Sequence, residues 1–114
     1  MYSSIIPDEI KDIRLTKQEI KECIDIYYHT SDPVQKEKVG LLLVGSHYKY
    51  MRMCISQVAP TYVAEHGEEL MAECICCFFE KLPAYDPGKN IKLTTYLTPH
   101  LKHALVLYIG RMYG

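Results

Sequence analysis

An all-α domain is the fold class that this sequence predicts, and three observations predict it. Apolar residues recur at spacings of three and four over most of the chain. No segment alternates apolar and polar residues as a half-buried strand would, and capping residues and prolines divide the periodic stretches into about four helices. At 114 residues, with 48% apolar and 24% charged side chains, the chain is long enough to bury a core as a single domain without disulfides or metals. The expected architecture is a compact bundle of about four helices spanning 15–114, preceded by an N-terminal arm, 1–14.

The arm carries Pro7 and mixed charge, with at most one turn of helix at 8–13. The first helix is predicted over 15–28. Thr16 and Glu19 have the spacing of a capping box, and Ile20, Cys23, Ile24 and Tyr27 then form one apolar face. The second helix starts at Ser31 or Asp32, with Pro33 in its first turn. It is read as one long central helix ending or breaking at Pro60, because Val34, Val39, Leu41, Leu42, Leu43, Val44, His47, Tyr48, Met51, Cys54, Ile55 and Val58 are apolar nearly all round in its first half and on one stripe in its second. A further turn is expected at 61–65, separated by His66 and Gly67 from a third helix over 68–82. That helix turns Leu70, Met71, Cys74, Cys77, Phe78 and Phe79 inward and Glu69, Glu73 and Glu80 outward, and Pro83 stops it.

A turn at 86–90 follows, for which Pro87 presets φ while Gly88 and Asn90 tolerate positive φ. The fourth helix is expected over 95–112, N-capped by Thr94 or Thr95 and offering Tyr96, Leu101, Ala104, Leu105, Tyr108 and Ile109 to the core. The chain has no internal repeat of roughly 20 to 50 residues and no low-complexity tract.

A net charge of −1 gives no global attraction to nucleic acid, but the charge is unevenly placed. Glu65, Glu68, Glu69, Glu73 and Glu80 precede the turn, and Lys89, Lys92, Lys102 and Arg111 follow it. Two solvated faces or two partners of opposite charge would both give this pattern. Five cysteines, three of them at 74, 76 and 77, do not form a disulfide framework, so a reducing cytoplasm is expected. No apolar run approaches the roughly 20 residues that span a bilayer, so no membrane partner is expected.

Cys74 and Cys77 form a CxxC, but no second ligand pair follows, and buried helix-packing cysteines are expected rather than a metal site. The five histidines contain no HExxH and no nucleophile-base arrangement, and there is no glycine-rich phosphate cradle. No enzymatic role, cofactor or metal is therefore expected. His100 and His103 with Lys102 nearby could contact phosphates or bases, or could simply be surface residues.

The order of an acidic helix, Tyr85-Asp86-Pro87, a Gly/Lys/Asn turn, Ile91-Lys92-Leu93 and Thr94-Thr95-Tyr96 resembles region 2 of bacterial sigma factors of the sigma-70 family. The likeness covers about 41–111 and points to an alternative, extracytoplasmic-function-like factor. It implies a transcription initiation domain without bond chemistry of its own. Glu69, Glu73 and Glu80 would then meet RNA polymerase core, at the clamp coiled-coil of its largest subunit. Lys89, Lys92, Thr94, Thr95, Tyr96, His100, Lys102 and His103 would engage the minus-ten non-template strand of promoter DNA. The alternative is an interaction module that keeps the sigma fold and binds polymerase or an anti-sigma factor without promoter recognition. Pro99, inside the expected DNA-facing helix, is the feature that favours it.

Overall fold

A computed structural model describes Lys11 and residues 13–113, and among these there are five α-helices and no strand. The expected arm at 1–14, with its turn at 8–13, lies almost entirely outside the described residues. Helix α1 (Lys17–His29) opens with the expected capping box: the Glu19 amide donates to Thr16 Oγ1 at 3.1 Å and the Thr16 amide to Glu19 Oε1 at 2.9 Å. Helix α2 (Pro33–Ser46) is capped by Asp32, whose carboxylate accepts from the Val34 amide, and it folds back on α1 as a helical hairpin.

The long second helix expected from the sequence is two helices. α2 ends at Ser46, α3 (Tyr48–Val58) begins after it, and His47 sits between them at φ −104°, ψ 11°. The cause is competition for one carbonyl. Ser46 Oγ donates to the Leu43 oxygen at 2.9 Å and His47 Nδ1 lies 2.6 Å from the same atom, while the His47 amide bonds Val44 instead of continuing the helical ladder.

The turn expected at 61–65 and the helix expected at 68–82 are in turn joined as α4 (Val63–Lys81), with a kink at His66 (φ −126°, ψ 16°) where the sequence placed a separation. Short 3-10 helices at Leu82–Ala84 and Pro87–Lys89 lead to α5 (Leu93–Tyr113). This last helix starts two residues before its predicted boundary. The Tyr96 amide bonds the Lys92 carbonyl at 3.0 Å, so Thr94 and Thr95 lie in the first turn and not at the cap. Burial of Leu93 (5% exposed) draws the helix start inward, a tertiary effect that outweighs the capping preference of threonine.

α5 packs on α4 and α3, and α2 closes the other side of α4. Leu93, Leu97, Leu101 and Leu105, four residues apart, form the buried stripe of α5, and Leu70, Cys74, Ile75 and Phe78 that of α4. Leu97 and Ile75 belong to the core although neither was among the expected inward residues. Helix α5 continues through Pro99, which removes only the bond to the Thr95 carbonyl. Both residues are exposed, so water can reach that oxygen.

Candidate functional site

The chain between α4 and α5 is held by tyrosine hydroxyls. The last carbonyls of a helix have no partner within it. Here the Lys81 oxygen accepts from Tyr96 Oη of α5 at 2.9 Å, and the Leu82 oxygen from Tyr28 Oη of α1. Tyr85, at the start of the connection, donates across it to the Ile91 carbonyl and closes 85–91 into a loop. The rings pack at a tilt: Tyr85 lies 5.4 Å from Tyr96 and 6.4 Å from Tyr28. Burial pushes the Tyr85 hydroxyl above its ordinary value, with the Asp86 carboxylate adding to the shift.

Within the loop, Asp86 Oδ1 accepts from the Gly88 amide at 2.8 Å and Asn90 adopts the left-handed conformation at φ 57°. Gly88 does not use positive φ as expected. A Cβ there would lie 3.1 Å from Asp86 Oδ1, close enough that the carboxylate would have to shift by a few tenths of an ångström. The outcome is a fixed loop with Lys89 and Lys92 fully displayed at the start of α5.

The residues expected to meet DNA do not share one face. At 100° per residue, Tyr96 and His100 lie on the flank of α5 toward the end of α4, and their rings are 5.1 Å apart. Thr95, Pro99 and His103 occupy the outer face together with Val106 (56% exposed), while Leu107 (49%) returns to the flank of Tyr96 and His100. Lys102 lies on the opposite flank from His100, facing α3, where its charge favours the thiolate of Cys54. Burial nevertheless keeps that thiol above its ordinary value. Thr94 sits beside α3 as well: its carbonyl accepts from Tyr50 Oη at 3.2 Å and from Thr98 Oγ1 at 2.6 Å. Tyr96 is half-buried, with its hydroxyl committed to Lys81, so it is a buttress of the connection rather than a free stacking platform.

Glu69, Glu73 and Glu80 do share a row of α4, since their spacings of four and seven return to the same side of a helix. They are not all simply outward. Glu69 and Glu73 are half-buried, and Arg111 of α5 approaches Glu73 to 3.7 Å.

The cysteines are free thiols, and Cys23, Cys54, Cys74 and Cys77 are buried. Desolvation pushes the Cys77 thiol up to about 11 and Cys74 further still, which keeps both protonated and poor as metal ligands or nucleophiles. Among the described residues no three His, Cys, Asp or Glu side chains are grouped to hold a metal, and no helix is long and apolar enough to cross a membrane.

Sequence reasoning missed one feature. A cleft of about 840 Å³ opens between α1 and 85–94, lined by Ile20, Ile24, Tyr85, Ile91 and Leu93, with His47 at its inner wall. It joins residues far apart in the chain, and the only local signal was an isolated histidine in an apolar pattern. Comparison of the chain with protein-family models, with curated proteins and with solved structures returns no match.

Proposed function

We propose that this chain is a sigma-region-2-like domain that docks on RNA polymerase core through the acidic row of α4 and holds the minus-ten non-template strand at the start of α5. The observation that carries the reading is the tyrosine-braced loop, which fixes Lys89 and Lys92 at the N-terminus of a helix. The free amides and positive dipole end of α5 add to the two ammonium charges, so that end of the helix suits a phosphate backbone. Tyr96 acts by setting the loop, and His100, Thr95 and His103 are the side chains left to approach bases. Lys102 contributes from the other flank.

A specific observation favours the second reading, an interaction module without promoter recognition. α5 exposes Val106 on its outer face and Leu107 on the flank of His100, where a nucleic-acid surface would carry cations, and such apolar exposure suits a protein such as polymerase or an anti-sigma factor.

Charge reversal of Glu69 and Glu73 to lysine, set beside Leu107→Asp, tests the assignment in a pull-down of core polymerase. The proposal expects loss with the α4 pair and little change with Leu107→Asp, helical circular dichroism being retained in both. Loss only with Leu107→Asp would move the polymerase contact to α5 and favour the module.

A further inference from the structure

The cleft between α1 and the 85–94 segment shares Lys92 with the proposed DNA surface, but its apolar interior plays no part in that reading. Its volume of about 840 Å³ lies within the roughly 300–1,000 Å³ range of small-molecule sites. Ile20 and Ile24 form one wall and Ile91 the other. Lys17 and Lys21 share the cleft-facing row of α1 with the two isoleucines, and Lys92 stands across from them. Glu22 and Asp25 are also at the rim but turned toward the next row of the helix.

His47 supplies a polar group at depth. It is 6% exposed. Its Nδ1 lies 2.6 Å from the Leu43 carbonyl, an atom that can only accept, so the proton sits on Nδ1 and Nε2 keeps a lone pair. The other contacts of the ring are Ser46 Oγ, also at Nδ1, and the Tyr50 and Phe78 rings. Among the described residues no hydrogen bond reaches Nε2 and no buried side-chain nitrogen or oxygen lacks a partner, so Nε2 is open to solvent, and His47 lines the cleft. Burial lowers the pKa of this histidine, which keeps it a neutral acceptor.

We infer that the cleft binds a small aromatic acid: a flat apolar ring with one N–H or O–H donor for His47 Nε2 and an anionic group reaching Lys17, Lys21 or Lys92. The ring would cover the isoleucine walls and the donor would take the place of water at Nε2. The carboxylate would gain charge-assisted hydrogen bonds at the rim. A polyanion fits less well, because Glu22 and Asp25 border the same opening.

The test is an NMR titration of the full isotope-labelled chain with indolepropionate, following the His47 ring nitrogens and the methyl groups of Ile20, Ile24 and Ile91. Saturable shifts at all four residues are expected. The N-methylindole analogue, which lacks the donor, should bind about tenfold more weakly. The exposed pair Lys17→Glu with Lys21→Glu should weaken the acid but leave neutral indolepropionamide unchanged. No saturable shift at millimolar ligand would mean that the cleft holds only water, and equal affinity for the methylated analogue would remove the role of Nε2. Either result overturns the inference. So would shifts produced by a single-stranded oligonucleotide alone, which would make the cleft part of a nucleic-acid surface.

Discussion

Replacing Tyr96 by phenylalanine removes one oxygen, and the structure gives the consequence a magnitude. That hydroxyl donates to the Lys81 carbonyl at 2.9 Å, one of the α4 carbonyls with no partner inside the helix. Lys81 is half-exposed, so water can take over part of the bond, and the net cost is about 1 kcal/mol. For a chain of 114 residues that corresponds to a fall in Tm of about 4 °C. Tyr96→Ala also deletes the ring between Tyr85 and His100, at 5.4 and 5.1 Å, and should cost about 3 kcal/mol in all. Urea unfolding followed by circular dichroism measures both, and the slope with denaturant should stay constant because the surface exposed on unfolding hardly changes. A Tyr96→Phe protein as stable as the parent would refute the hydroxyl brace. If Tyr96→Phe instead kept its stability and lost single-strand affinity, the hydroxyl would belong to the nucleic-acid surface.

Three further outcomes follow from the same structure. His47 is held below its ordinary value of 6.5 by burial, so the unfolded chain takes up the proton first as pH falls. Stability should therefore be full above about pH 6.5 and decline below it, by at most about 1.4 kcal/mol per pH unit from this group. His47→Gln should flatten that part of the urea-measured profile, and an unchanged profile would remove His47 as its source. Cys74→Ser puts a hydroxyl into an apolar contact and should cost about 1–3 kcal/mol. The reduced protein should contain no stoichiometric zinc and keep its Tm in a chelator, whereas one zinc per chain, lost together with the fold, would contradict the helix-packing role of the cysteines.

What was legible in the sequence was what is local. The capping box at Thr16 and Glu19 and the Asp32 and Pro33 start are fixed by neighbours within one or two turns and appear where spacing put them, as does most of the apolar stripe of α4, Ile75 being the residue it missed. The break at His47 was missed because it depends on Ser46 and His47 both reaching one carbonyl, while the apolar pattern runs on undisturbed. The start of α5 moved to Leu93 because the core claims that side chain. The site residues fared unevenly for the same reason. Lys89 and Lys92 were legible as cations in and just after a turn, since turn chemistry is local. The commitment of Tyr96 to Lys81, the Glu73 to Arg111 approach and the turning of Lys102 toward α3 are tertiary facts that spacing alone does not carry.

The central claim is that the braced loop presents Lys89 and Lys92 to the phosphates of a melted promoter strand. The most direct measurement is the affinity of the full chain for a single-stranded minus-ten oligonucleotide across a salt series. Each phosphate contact releases counterion and adds about −0.7 to the slope of log affinity against log salt for a single strand. Lys89→Ala with Lys92→Ala should therefore reduce the slope by about 1.4, while Lys102→Ala, on the other flank of α5, should change it less. Affinity that does not depend on salt, or a slope unaltered by the Lys89 and Lys92 pair, would contradict the account.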